Sequence, residues 1–84
     1  MSQVQQLIAA INILVRQMEE QSAQIRSFNS KLEQMEQHMN QVLGSDHSAG
    51  QKMIRQIEQT REQNNQTLNR LQMAKDKLQQ IRLV

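Results

Sequence analysis

The chain contains no cysteine and no proline. The first absence excludes disulfides and thiolate metal sites, so nothing staples a small fold together covalently. The second removes the residue that most strongly interrupts a helix, and long unbroken helices are permitted throughout. Aromatic residues are almost missing as well: Phe28 stands alone, with no Trp or Tyr. That argues against a thick globular core and against an aromatic-lined pocket for a small molecule. The longest apolar stretch, Leu7 to Val15, is broken by Asn12 and is too short to span a bilayer. It also lacks the basic lead-in and small-residue cleavage pattern of a secretory signal. A cytoplasmic protein without a membrane span is the expectation, with signal-independent secretion left open.

Catalytic chemistry is equally hard to find. His38 and His47 are nine residues apart, without metal-ligand spacing, and Asp46 is only a neighbour of His47 in the chain. There is no glycine-rich phosphate loop and no nucleophile set beside a base. The pairs Glu19-Glu20 and Glu33/Glu36 are spaced as a solvated helix surface. The expectation is a non-enzyme with no cofactor, no metal and no small-molecule substrate.

What is present is a heptad. Counting from Val4, the a and d positions of the first half are Val4, Leu7, Ile11, Leu14, Met18, Gln21, Ile25, Phe28, Leu32, Met35, Met39 and Val42, of which only Gln21 is polar. A period of 3.5 residues held over five heptads is the seam of a long helix packed lengthwise on another. Seventeen Gln supply a solvated helical surface. The sequence predicts helix one over about 3–43, a turn over 44–48 and helix two over about 49–82. Gly44 follows the last seam residue and suits the left-handed conformation that closes a helix. Ser48 with Gln51 three residues on reads as a capping box opening helix two, with Gly50 in its first turn.

The second helix repeats the pattern less cleanly: Met53, Ile57, Thr60, Asn64, Thr67, Leu71, Ala74, Leu78 and Ile81, with Ile54 and Leu68 on the flank. A turn this short implies an all-α antiparallel two-helix hairpin, coiled-coil-like, of a single domain. A turn centred near His47 sets Phe28 across from Thr67 and Ser27 or Ser30 near Asn64. Gln21, Thr60, Asn64 and Thr67 then make the seam polar in places. Asn64 either fixes register at a cost in stability or points partly to solvent. Residues 1–43 carry three cations against four anions, net −1, and residues 48–84 carry seven against three, net +4, with Asp46 between them bringing the chain to +2; opposite signs favour the halves lying side by side.

A chain of 84 residues with seams this thin rarely stands alone. A four-helix or larger bundle is the expected working unit, formed with a helical protein partner or as a homo-oligomer. In the inferred register Val84 sits opposite Ala10 or Ile11, so the first turns of helix one outrun helix two. Apolar residues also cover several sides of Leu7 to Val15. Val4, Leu7, Ile8, Ile11, Ile13, Leu14 and Val15 are therefore the expected partner interface; a stickier hairpin end closed by a shift of the turn is the alternative. The basic second helix raises nucleic-acid binding, but Arg55, Arg61, Arg70, Lys75, Lys77 and Arg82 are spread around it among Glu58, Glu62 and Asp76, with no stacking aromatics, and that role is disfavoured.

Two long antiparallel helices with Val42-Leu43-Gly44 at the midpoint turn resemble the small helical-hairpin proteins of bacterial type VII secretion. In their Trp-Xaa-Gly group a Trp-Xaa-Gly tripeptide occupies that place; here the glycine matches and the tryptophan is replaced by Val42. Members bearing the export signal have a Tyr after helix two with an acidic residue four positions on, and this chain has no Tyr. The resemblance implies a partner or targeting chaperone of an LXG-like toxin substrate, working within a dimeric four-helix bundle, rather than the bearer of the signal. Type III secretion needle subunits are also hairpins of this length, but their turn typically contains Pro. A needle-like subunit or self-assembling coiled-coil scaffold remains the alternative.

Overall fold

The computed structural model describes residues 2–44 and 48–81. It is an antiparallel hairpin of two helices, α1 (Gln3–Leu43) and α2 (Ser48–Gln79). The start of α1 is set by a capping box: the Gln5 N–H donates to Ser2 Oγ at 3.1 Å, and the Ser2 N–H donates to Gln5 Oε1 at 3.2 Å, satisfying two of the backbone donors a helix leaves free. Its end is set by Gly44, whose N–H donates to the Asn40 carbonyl at 3.1 Å. Gly44 has φ 74° and ψ 165°, so the positive φ expected of it is present, but in the extended glycine-only region rather than the left-handed helical one.

α2 includes Ser48, one residue ahead of the expected start near Ala49. The preceding residues Ser45, Asp46 and His47 lie outside the described residues, as do Arg82 to Val84 and the expected facing of Val84 with Ala10 or Ile11. Lys77 stands in the last turn of α2, where a cation meets the negative end of the helix dipole.

The hairpin is long and thin. It measures 64 × 16 × 12 Å with a radius of gyration of 19.2 Å, against about 12 Å for a compact domain of this length. It exposes 6798 Å², where a compact monomer of the same mass exposes about 5,200 Å². Among the described residues only Val15 and Ile57 are buried apolar side chains. One helix pressed against one other leaves each with most of its circumference in water.

Which columns of α1 meet α2 is decided by alternate steps of four and three residues. Ile11, Val15, Met18, Ser22, Ile25, Asn29, Leu32, Glu36 and Met39 are buried or half-buried in that order. The central column Ile11, Met18, Ile25, Leu32 and Met39 is the expected one. The column beside it is not: Val15, Ser22, Asn29 and Glu36 take the place expected for Leu14, Gln21, Phe28 and Met35, all of which are exposed. α2 turns the same way. Gly50, Ile57, Asn64, Leu71 and Leu78 form its central column and Ile54, Arg61, Leu68 and Lys75 its second, while Met53, Thr67 and Ile81 are exposed and Thr60 and Ala74 half-buried.

The reason lies in polar pairing. Asn64 Nδ2 donates to Asn29 Oδ1 at 2.8 Å, and Asn29 Nδ2 donates to Asn65 Oδ1 at 3.1 Å. Arg61 reaches Glu36 at 3.4 Å and Glu33 at 3.8 Å, and Lys75 reaches Glu19 at 4.0 Å. These bonds need Asn29 and Glu36 in or beside the seam, and Ile54 and Leu68 supply the large apolar side chains opposite. Asn64 therefore faces Asn29, not Ser27 or Ser30. The ion pairs run from cations of α2 to anions of α1, as the charge imbalance requires; being partly exposed, each contributes roughly 0 to 1 kcal/mol.

Candidate partner-binding face

Rotating both helices this way leaves one column of each beside the seam, largely apolar on α1 and mixed on α2. On α1 it is Leu7, Leu14, Gln21, Phe28, Met35 and Val42; on α2 it is Met53, Thr60, Thr67, Ala74 and Ile81. Both columns lie on the same broad side of the hairpin. They meet over a shallow groove of about 190 Å³ in which Met35, Met53 and Thr60 join Leu32, Met39 and Ile57. The opposite side carries the ties described above: Glu19 to Lys75, Glu33 to Arg61, and Asn29 to Asn65. The hairpin thus has a polar side laced by ion pairs and an apolar side left open.

The two helices contribute differently to the open side. Phe28 is 49% exposed, Met35 53% and Val42 65%, and these large side chains make α1 the high wall. α2 has small residues in its middle, Thr60, Thr67 and Ala74. The Thr60 hydroxyl donates to the Gln56 carbonyl at 2.9 Å and the Thr67 hydroxyl to the Gln63 carbonyl at 3.1 Å. Their hydrogen bonds are satisfied inside their own helix, so a partner covering them need not supply any. The larger side chains of α1 beside the smaller ones of α2 make a shallow trough, which encloses volume at Met35, Met53, Gln56 and Thr60.

The expected interface residues divide among several positions. Leu7 and Leu14 belong to the open face, and Leu14 is 45% exposed. Val4, Ile8 and Ile11 continue the seam columns toward and past the end of α2. α1 exceeds α2 by nine residues, roughly 13 Å at 1.5 Å per residue, and Val4 and Ile8 are exposed there. Ile8, Ile11 and Asn12 with Leu78, Gln79 and Ile81 border a groove of about 270 Å³ at this open end. Ile13 is exposed on the back of α1. Val15 is corrected outright: at 9% exposure it is part of the hairpin's own core, because it sits four residues beyond Ile11 on the seam side.

The polar seam residues divide too. Asn64 is in the seam, whereas Gln21 and Thr67 are exposed on the open face and Thr60 borders it. Asn29 is the residue that hydropathy alone overlooks. Its signal was present in the spacing, four residues past Ile25 and three before Leu32, but a polar residue in that column does not register in an apolar count. Among the described residues no group of three or more His, Cys, Asp or Glu is placed to hold a metal ion, and no helix is long and apolar enough to cross a membrane. No protein-family model, curated protein or solved structure matches the chain.

Proposed function

We propose that this hairpin is a non-catalytic helical binding protein, and that its open face takes another helical protein to complete a bundle of at least four helices. The observation that carries the reading is the outer column of α1: Leu7, Leu14, Phe28, Met35 and Val42 lie on a seven-residue spacing interrupted only by Gln21, yet all are exposed. A seven-residue apolar period is the pattern a helix presents to a neighbouring helix, and α2 does not use this column. Burying two or three such side chains contributes roughly 1.5 to 3 kcal/mol each. The resemblance to type VII secretion hairpins supports a specific partner class, the helical targeting region of an LXG-like toxin, with this chain as its partner or targeting chaperone in the cytoplasm.

The test is light scattering on the purified protein beside Phe28→Glu with Met35→Glu, and co-purification of the native complex with identification of the bound protein. The expected result is a co-purified complex of four or more helices that contains a second helical protein and that the double substitution dissociates while circular dichroism stays helical. A stable, fully helical monomer at micromolar concentration that retains no helical partner would overturn the reading. Self-association into the same bundle would instead favour the scaffold.

A further inference from the structure

We infer that the helix filling this trough carries acidic residues along both of its flanks, which meet Lys31 on the α1 rim and Arg70 and Lys77 on the α2 rim; the inference rests on the helix-binding reading above. Lys31 lies three residues after Phe28 and four before Met35, one step outward from the open column. Arg70 stands in the same relation to Thr67 and Ala74, and Lys77 to Ala74 and Ile81. Taking the register from the Asn29–Asn64 bond, Lys77, Arg70 and Lys31 follow one another along the trough about one heptad apart, roughly 10 Å. Two are on one bank and one is on the other.

One further observation separates these cations from ordinary surface charge. It is not the lack of an ion pair, since Arg16, Arg26, Lys52 and Arg55 also take no part in the ion pairs among the described residues; it is the absence of acid around them. No described carboxylate stands in the open columns or on the step outward from them. Glu19, Glu33, Glu36 and Glu58 belong to the seam or the polar side, and Glu20, Glu62 and Asp76 to the backs of the helices. The face is apolar in the middle, basic at both margins and free of acid. A helix with apolar seam residues and Glu or Asp at the flanking positions matches it in period and in sign.

A second copy matches less well, since two such faces brought together set basic margins against basic margins with no acid between them. An anionic lipid surface answers the charge but not the seven-residue period or the trough, because a bilayer has no ridge to lay along α2's small residues.

The probes are two synthetic helices of four heptads with the same apolar seam. One has Glu at both flanking positions and the other Lys, so that each repels its own kind and stays unpaired. Binding is read by fluorescence anisotropy with the full chain. The Glu-flanked helix should bind at least about tenfold more tightly than its twin, a preference that shrinks as salt rises past the screening range. Lys31→Glu with Arg70→Glu should reverse the preference while leaving circular dichroism unchanged, since neither side chain makes an ion pair that holds the hairpin and Lys77, which meets the helix dipole, is left in place. Equal binding of both helices would overturn the inference and leave the helix-binding reading intact. Binding of neither, with light scattering giving a dimer, or binding to phosphatidylserine vesicles that the Glu-flanked helix does not compete for, would also overturn it. If the Glu-flanked helix still binds the Phe28→Glu variant as tightly, the open face is not the site and both readings fall.

Discussion

Ile57→Ala and Leu14→Ala should have very different costs in the isolated hairpin, although both are large apolar residues at heptad positions. Ile57 is 8% exposed in the seam and Leu14 is 45% exposed on the open face. Truncating a buried Ile to Ala costs about 2 to 5 kcal/mol. Fully burying a Leu is worth roughly 1.5 to 3 kcal/mol; a residue already half in water forfeits about half of that, and Ala returns a little as the better helix former. The difference should therefore be at least about 0.5 kcal/mol, and about 2 kcal/mol between mid-range values, close to a 30-fold difference in unfolding constant. Urea titrations followed by far-ultraviolet circular dichroism measure it, run first in dilute solution and then with the assembled complex. On assembly the cost of Leu14→Ala should rise toward that of a core truncation, while that of Ile57→Ala should not grow. Equal costs in the dilute hairpin would mean that Leu14 belongs to its own core and that the two faces are wrongly assigned. A Leu14 cost that assembly does not change would place the interface elsewhere.

The seam polar pair should show up in a double-mutant cycle: Asn29→Ala and Asn64→Ala should couple by about 0.5 to 1.5 kcal/mol, and additive effects would mean the 2.8 Å bond contributes nothing in solution. Gly44→Ala should destabilise the hairpin by about 1 to 3 kcal/mol for reasons of backbone alone, because a Cβ there meets nothing within 4 Å; a thermal melt that does not move would show that the turn relaxes freely. Ser2→Ala should fray the start of α1 at a cost of about 1 kcal/mol, seen as faster amide exchange at Gln5 and its neighbours without a change in partner binding.

The hairpin, its antiparallel sense and the long first helix are legible in the sequence because each depends on a signal local to the chain: the seven-residue period, the missing prolines, and Gly44 among turn-forming residues. The rotation of the two helices is not local. An apolar count ranks the column of Leu14, Phe28 and Met35 above the column of Val15, Ser22, Asn29 and Glu36, and so assigns the first to the seam. What reverses the order is the other helix, where Asn64 and Arg61 face Asn29 and Glu36 and where Ile54 and Leu68 are larger than Thr60 and Thr67. The same limit explains the candidate interface. The apolar excess of Leu7 to Val15 was visible, but the sequence placed it at one end of the rod, whereas the structure shows the open face running on through Phe28, Met35 and Val42.

A single straight contact covers two columns of a helix at most. α1 gives α2 the apolar column of Ile11, Met18, Ile25, Leu32 and Met39 and, beside it, the mixed column of Val15, Ser22, Asn29 and Glu36. That allocation leaves the column of Leu14, Phe28 and Met35 uncommitted, although it is more apolar than the column of Val15, Ser22, Asn29 and Glu36 that takes its place in the seam. The arrangement makes sense where the uncommitted column is filled in the working assembly, because a partner that binds only the folded hairpin adds its binding free energy to a marginal fold, about 2.7 kcal/mol when present at a hundred times its dissociation constant. Stability and recognition are then the same surface: the residues that leave the free hairpin weak are the ones that make the bound one specific.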